Sequence, residues 1–286
     1  MRNSIIIITA LLFLISFSFS CSKEKTSADK PAPKYIENYA SDSVKSEKDL
    51  IGHLKKLSYW AYYYSNNGID TTISPSDSLE RENKSFQAGL LDYTSANPET
   101  ISNSFQDFVK AGLILATSDD GLFRIYSWDT QTGGTMHFYD NIYKYKSGDK
   151  VYSITGKRDT IEGGDPRSWY SEIYTLVNNG KKYYLGLENS EYSTKDLSQS
   201  IKFFTINNNS LNDTVSLLKT GSKKMNTVGI NYNFFSVEDH PERPLKLIVY
   251  DEKNKTISVP VVDDKLKVTK KYDVYRFNGE YFEPEK

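Results

Sequence analysis

The spacing of apolar positions changes twice along the chain and divides it into three regions. Apolar residues are continuous near the start, recur three and four positions apart from Ser46 to Gly112, and alternate with polar residues from Leu113 onward. A period near 3.6 predicts amphipathic helices, and a period of two predicts strands. We therefore expect an α+β fold, in which a helical region (46–112) precedes a large antiparallel β-domain (113–286).

The helical region is expected to contain three helices. They begin near Ser46, Asp77 and Asn97, and each carries a stripe of large apolar residues on one face. The third has the clearest limits, because Asn97 is a good cap, Pro98 suits a first helical position and Gly112 suits a helix end. The sequence therefore predicts one continuous helix from Pro98 to the region of Gly112.

The β-domain is expected to be a succession of hairpins. Turn dipeptides that tolerate positive φ separate three pairs of strands, at Asp120-Gly121, Asn179-Gly180 and Asn278-Gly279. Further strands are predicted at Met136–Tyr145, Val151–Thr155, Ile201–Ile206, Val228–Val237, Leu245–Tyr250 and Thr256–Val261. Few connections leave room for the crossover helices of parallel sheets. The pattern is compatible with a sandwich, an open barrel or a propeller-like meander.

The first twenty residues have the features of a signal peptide (1–20). Arg2 precedes an apolar or hydroxyl run from Ile5 to Phe19. A transmembrane helix needs about 20 apolar residues, so this run is short for one. Cys21, the only cysteine of the 286 residues, stands where the run ends.

The segment Phe17-Ser18-Phe19-Ser20-Cys21 resembles a bacterial lipobox. Ser20 is the expected small residue, whereas Ser18 stands where Leu is usual, as in the relaxed lipoboxes of Bacteroidota-type lipoproteins. The resemblance implies cleavage before Cys21, acylation by palmitate-type chains, and a lipid anchor in the cell envelope. The outer membrane is the expected membrane, with the periplasmic or surface face left open. The alternative is an ordinary secretory signal with an incidental cysteine.

Residues 21–45 are expected to form a lipidated cysteine and a disordered tether. Lys, Glu, Ser and Pro dominate Ser22 to Lys45, and apolar periodicity is weak. A flexible coil of this length would hold the body about 25 to 30 Å from the lipid. Acylation of Cys21 would leave no thiol in the mature chain, which excludes disulfides and thiol catalysis.

Charge and motifs exclude several classes of partner and enzyme. The chain has 36 basic and 37 acidic residues, a formal net charge of -1, so nucleic acid is not an expected partner. It contains no phosphate-binding glycine loop, HExxH, GxSxG, CxxC or EF-hand loop. His53, His137 and His240 stand far apart in sequence. We expect no cofactor and no metal.

One cluster of chemically versatile residues lies on a predicted strand, turn and strand. Trp128 and Tyr139 are candidates to stack on a sugar or peptide, while Asp129, His137 and Asp140 are candidates for hydrogen bonding or proton transfer. A structural interpretation competes, in which the aromatic residues enter the core and Asp129 and Thr130 cap the turn. We favour the structural interpretation. The aromatic run Tyr59–Tyr64 also suggests a glycan platform, although consecutive helical residues point to different sides.

A short repeated motif resembles the O-glycosylation sequon of Bacteroidota-type exported proteins. Asp followed by Ser or Thr and then an aliphatic residue or Thr occurs five times, where composition would supply about one match. The expected acceptors are Ser43, Thr71, Ser78, Thr160 and Thr214. The alternative is chance combined with the turn preference of Asp-Ser and Asp-Thr.

Two classes of function remain after these exclusions. The leading hypothesis is a membrane-anchored, non-enzymatic binding or interaction module whose ligand is a glycan, a peptide or an envelope protein. The rival is a polymer-degrading hydrolase with carboxylates assembled by the fold, which requires two acids about 5 to 9.5 Å apart beside a cleft. The sequence favours the first.

Overall fold

Two long helices precede the strands, as predicted. The computed structural model describes residues 46–66, 74–156 and 167–285, with the side chains of 64–66 excepted. The expectations for the signal peptide, Cys21, the tether, Ser43, Thr71 and Thr160 lie outside the described residues. Helix α1 spans Glu47–Asn66 and α2 spans Pro75–Ala96. Ser74 Oγ accepts a hydrogen bond from the Asp77 amide at 3.3 Å and caps α2.

The predicted third helix is wrong as a continuous element. Its place is taken by a 3₁₀ turn, Pro98–Ile101, and a short helix α3, Gln106–Lys110. Arg124 donates to the carbonyls of Thr100 (3.0 Å) and Asn103 (2.5 Å). These carbonyls therefore accept hydrogen bonds from a side chain of the first sheet and not from the amides of a continuous helix. Phe105 then adopts a left-handed φ of 48° and buries its ring. Gly112 follows α3 with a φ of 106°, a conformation that suits the end of a helix.

The strands of the described residues form three sheets. The first sheet has the order β1 Ile114–Thr117, β2 Phe123–Asp129, β3 Tyr139–Ser147 and β4 Lys150–Thr155. The second contains β5 Trp169–Asn178, β6 Lys181–Glu191, β7 Asp196–Asn207 and β11 Thr227–Asn233, in the order β11-β7-β6-β5, with β8 Ser210–Asn212 paired to β7. The third has the order β10-β9-β15-β14-β13-β12, with β9 Leu218–Thr220, β10 Lys223–Met225, β12 Val249–Asp251, β13 Thr256–Val262, β14 Val268–Phe277 and β15 Phe282–Pro284.

The expected α+β class with a mostly antiparallel β-domain is confirmed. The three sheets are open and do not close into a barrel. Strands β15 and β9 pair in parallel, and all other strand pairs in these sheets are antiparallel. The Asn179-Gly180 dipeptide forms a two-residue hairpin turn with φ values of 50° and 76°.

Two predicted strands are shorter than expected. Strand β11 ends at Asn233, whose side chain accepts from the Phe235 amide and starts a 3₁₀ turn at Phe234–Ser236. Of the predicted strand Leu245–Tyr250, only Val249 and Tyr250 join a sheet. The amides of Leu247 and Ile248 instead donate to Oε1 of the buried Gln199, both at 2.8 Å.

The described helices and sheets stack in layers within one compact unit. Helix α1 packs on α2, and both cover one face of the first sheet through a shared apolar core. The other face of that sheet packs on the second sheet. The opposite face of the second sheet packs on the third. Strand β2 is therefore buried on both faces, which explains its nearly continuous burial.

A membrane-crossing helix is not among the elements above. Within residues 46–66, 74–156 and 167–285, no helix is both long enough and apolar enough to cross a bilayer.

Candidate functional site

Among the described residues, four loops meet at one end of the sheets, which we call the loop end. They are 130–138, 192–195, 234–248 and 263–267. Backbone hydrogen bonds connect each loop to the next. The His137 amide donates to the Glu191 carbonyl at 3.1 Å, next to loop 192–195. The Phe234 amide donates to the Lys195 carbonyl at 2.8 Å, and the Asn233 amide donates to the Leu266 carbonyl at 2.7 Å. These loops are thus held by backbone bonds to their neighbours.

Loop 130–138 has a fixed base. The Thr130 amide donates to the Phe138 carbonyl at 2.8 Å, and Thr130 Oγ1 donates to the same oxygen at 2.9 Å. Asp129 Oδ1 accepts from the Gln131 amide at 2.8 Å, which holds Gln131 at a φ of 58°. The turn role considered for Asp129 is therefore present in the structure.

The second oxygen of Asp129 contacts His137, and we call Asp129, His137, Tyr139 and Glu191 the His137 cluster. His137 Nδ1 lies 2.6 Å from Asp129 Oδ2, and its Nε2 lies 3.9 Å from Glu191 Oε2. Tyr139 Oη donates to Glu191 Oε1 at 2.9 Å. The imidazole therefore lies between two carboxylates, one of which also holds a phenol.

The electrostatics of the cluster favour a protonated imidazole. Desolvation lowers the pKa of His137, but the hydrogen bond and charge of Asp129, with the charge of Glu191, outweigh it, so the pKa is raised. Burial, followed by the charge and hydrogen bond of Glu191, raises the pKa of Tyr139 well above its usual range. Tyr139 is a poor nucleophile because its proton stays on the phenol.

Trp128 does not share this site. Adjacent strand residues point to opposite faces, so Trp128 faces α2 while Asp129 and its cross-strand partner Tyr139 face the other way. Trp128 is 0% exposed, packs edge-to-face on Phe86 and donates from Nε1 to Asn83 Oδ1 at 3.3 Å. The structure brings together Asp129, His137 and Tyr139. It places Trp128 in the core, and its cross-strand partner Asp140 forms an ion pair with Arg167.

Glu191 is the member of the cluster that the sequence analysis missed. It lies 52 residues after Tyr139 in sequence, at the end of β6. Its place beside His137 depends on how the second sheet packs against the first. No local pattern of residues carries that information.

A small cleft opens beside loop 130–138 on the helix side. It has a volume of about 250 Å³ and is lined by residues that include Glu80, Lys84, Asp140 and Arg167. Lys84 Nζ lies 2.7 Å from Glu80 Oε1, and Arg167 forms an ion pair with Asp140. Typical small-molecule pockets have volumes of about 300 to 1,000 Å³, so this cleft is below that range. Among the described residues, no group of three or more His, Cys, Asp or Glu is placed to hold a metal ion.

The loop end also exposes large aromatic side chains. Phe235 is 53% exposed and Tyr192 is 38% exposed. Phe235 belongs to the 3₁₀ turn that is bonded to Lys195, and Tyr192 directly follows Glu191. Rings with this much exposure on fixed loops provide contact area for a partner.

Two of the expected glycan acceptors are described, and their surroundings differ. Thr214 is exposed in a loop, and its Oγ1 donates to Asn212 Oδ1 at 2.9 Å. Ser78 is 5% exposed within α2. Only Thr214 of these two offers an accessible hydroxyl in the folded chain.

The two carboxylates of the His137 cluster favour a proton on the imidazole. Within the described residues, the ring nitrogens of His137 contact the two carboxylates and no serine or threonine hydroxyl. The ring also occupies the space between Asp129 and Glu191, where a substrate of a paired-carboxylate enzyme would lie. No family model, no curated protein and no solved structure matches this chain.

Proposed function

We propose that this chain is an envelope lipoprotein, anchored through Cys21, whose folded body is a non-enzymatic binding or interaction module. The lipobox-like segment before Cys21 and the polar segment after it support the anchor. The outer membrane is the proposed membrane. The ligand class is a glycan, a peptide or an envelope protein, and neither nucleic acid nor a cofactor is proposed.

The observation that carries the binding role is the loop end. Phe235 and Tyr192 expose large rings on loops that are tied to each other and to the sheets by hydrogen bonds. Fixed aromatic side chains bind at a low cost in conformational entropy, and they are enriched in protein interfaces. A shallow aromatic surface suits a partner that is larger than the adjoining 250 Å³ cleft.

The hydrolase hypothesis receives less support from the same residues. Asp129 and Glu191 are the carboxylates nearest to His137, but the imidazole lies between them and contacts both. A glycosidase needs that space for the sugar and the attacking group. Reproducible turnover of glycans, esters or peptides that is lost in Asp129→Asn would favour the hydrolase and contradict our proposal.

The anchor is tested by labelling cells with a fatty acid. We expect Cys21→Ala to remove the label and to release the protein from membranes, because Cys21 is the only proposed acylation site. Cys21→Ser is the conservative control and should behave in the same way. Equal labelling of the wild type and either variant would contradict the anchor.

The binding role is tested on glycan and peptide arrays. Phe235→Ser should weaken any specific signal at least tenfold, as loss of an interface aromatic residue does. Tyr272→Ser on β14 is the matched control, because Tyr272 has the same 53% exposure as Phe235. An absence of specific signal, or an equal loss in both variants, would count against the loop end.

We also propose O-glycosylation of the chain in its native host. Thr214 is the described acceptor with an exposed hydroxyl, whereas Ser78 is buried. The intact mass of the purified mature chain should exceed that of the polypeptide plus lipid. Thr214→Ala should reduce the excess, and a mass of polypeptide plus lipid alone would remove this proposal.

A further inference from the structure

The outer face of α1 carries a stripe of lysines and tyrosines. Lys48, Lys55, Tyr59 and Tyr62 are spaced seven, four and three positions apart and therefore share one face of the helix. All four side chains are exposed, and Tyr59 and Tyr62 reach 54% and 67% exposure. We call these four residues the α1 stripe.

The stripe lies opposite the buried face of α1. Leu50, Leu54 and Leu57 enter the core that α1 shares with α2 and the first sheet. Among the described elements, α1 is the outermost layer of the stack, and its other face carries the exposed side chains of the stripe. Tyr59 is also held in place, since its ring lies 5.0 Å from that of Trp60 and 6.1 Å from that of Tyr63.

The charge of the stripe has a single sign. Its two charged residues are both lysines, while the acidic residues of the same helix, Glu47 and Asp49, point to its flanks. Lysines complement anionic groups by charge, and exposed tyrosines have an apolar ring with a polar hydroxyl. Together they suit a surface whose anionic groups cover an apolar layer. The headgroup region of a bilayer is such a surface, and tyrosine and tryptophan are enriched there.

The position of α1 in the chain makes this surface reachable. The segment 22–45 separates Cys21 from Ser46, and a chain of that length spans at most about 80 Å. Helix α1 is therefore the first described element after the proposed anchor. The stripe and the lipidated cysteine can reach the same membrane.

We propose that the α1 stripe docks on the anionic headgroups of the membrane that holds Cys21. The choice of membrane rests on the proposed anchor, whereas the affinity for anionic lipid rests on the stripe alone. Docking through α1 would turn the body so that one layer of the stack faces lipid. It would also give the chain a second membrane contact besides the acyl chains.

The test uses the unacylated chain from Ser22, which contains every described helix and strand. It is sedimented with vesicles of equimolar phosphatidylglycerol and phosphatidylcholine, and with vesicles of phosphatidylcholine alone. We expect binding to the first kind only, and it should weaken as salt is raised. Lys48→Gln/Lys55→Gln should lower the partition coefficient about 30-fold, from about 1 kcal/mol for each lysine near an anionic surface.

A matched control separates the stripe from general charge. Lys270→Gln/Lys271→Gln removes two exposed lysines beside the exposed Tyr272 on β14, and it should leave binding within about twofold of the wild type. Tyr59→Ser/Tyr62→Ser should weaken binding, while Tyr272→Ser should not. Brominated lipid should quench the fluorescence of Trp60, and the quenching should disappear in Trp60→Phe.

Three results would overturn the docking proposal. They are an absence of binding to anionic vesicles, an equal loss in the α1 and β14 variants, and binding to insoluble peptidoglycan in place of vesicles. The last would make the stripe a glycan platform. Because no acyl chain is present in this assay, failure of Cys21 acylation in cells would leave its result unchanged.

Discussion

At the scale of the residue, the strand period decides which side chains are able to work together. Trp128 and Asp129 are adjacent in sequence but face opposite sides of the first sheet, with only Asp129 beside His137. The sequence therefore identified three members of the His137 cluster and the structural role of Trp128. It did not identify Glu191, because contact with His137 depends on the packing of two sheets.

Truncation of Trp128 should be among the costly single substitutions. The side chain is fully buried, packs edge-to-face on Phe86 at a ring distance of 5.0 Å and satisfies Asn83. We expect Trp128→Ala to lower the free energy of unfolding by about 3 to 5 kcal/mol. Denaturant unfolding measures this, with the exposed Tyr272→Ala as a control that should stay within about 0.5 kcal/mol. A loss below 1 kcal/mol would contradict a core role.

His137 should make stability depend on pH in one direction. Its raised pKa means that the folded state holds the proton more tightly than the unfolded state. Its contribution is therefore fully present below the unfolded pKa of about 6.5, and it is lost as pH rises through the folded pKa. We expect the wild type to be more stable than His137→Gln by about 1 kcal/mol or less, because the His137 side chain is 41% exposed. This difference should shrink as the pH rises through the folded pKa of His137.

Two measurements check the His137 prediction. Denaturant unfolding across the titration range gives the stability difference, and NMR titration gives the pKa. Asp129→Asn should lower the pKa of His137, since it removes the hydrogen-bonded charge. A stability difference that grows with pH, or an unchanged pKa in Asp129→Asn, would show that the cluster does not act as described.

At the scale of the element, turns and caps were more predictable than long-range partners. The Asn179-Gly180 hairpin follows from local φ preferences, and Gly112 ends its region for the same reason. The prediction of a continuous third helix was wrong because Arg124 and Tyr126, both on β2, donate hydrogen bonds to the carbonyl of Thr100. The apolar period of one segment does not show that side chains of another element will bind its backbone carbonyls.

The side chain of Gln199 holds residues 245–248 in place, although these residues do not belong to a strand. It is 0% exposed, accepts from the amides of Leu247 and Ile248, and donates to the carbonyl of Leu245 at 2.7 Å. Gln199→Leu would leave these buried backbone groups without a partner. Each such group costs about 1 to 3 kcal/mol, so we expect a loss of about 3 kcal/mol or more.

Hydrogen exchange tests the Gln199 prediction locally. The amides of Leu247 and Ile248 should lose protection in Gln199→Leu before β6 and β7 do, because only their acceptor is removed. Gln106→Leu, at an exposed position in α3, is the control and should leave protection unchanged. Unchanged exchange at Leu247 and Ile248 in Gln199→Leu would mean that another group holds this segment.

At the scale of the whole molecule, the class of fold was predictable and the stacking of its layers was not. A change of period from helical to strand-like fixed the order of elements, since periodicity reports which face of each element is buried. It left a sandwich, an open barrel and a meander as alternatives. The choice depends on which faces meet, as where Phe123 of the first sheet contacts Tyr184 and Phe204 of the second.

The layered core buries many tyrosines, and this should govern the behaviour of the protein in alkali. Burial raises the pKa of Tyr232 and Tyr250 to about 12, and it raises the pKa of Tyr170 well above its usual range. These phenols stay protonated in the folded state where the unfolded chain ionises. Their contribution to stability is therefore fully present below about pH 10 and is lost as pH rises through the folded values.

An alkaline titration should consequently have two phases. Phenolate absorbance should first report the exposed part of the 22 tyrosines while circular dichroism stays native. The buried part should ionise at higher pH and together with loss of circular dichroism, because the lower pKa of these phenols in the unfolded chain makes alkali favour unfolding. The urea-unfolded chain is the control and should titrate in one step. A single reversible step with native circular dichroism would show that these phenols reach water in the folded protein, and the packing between the sheets would then be looser than described.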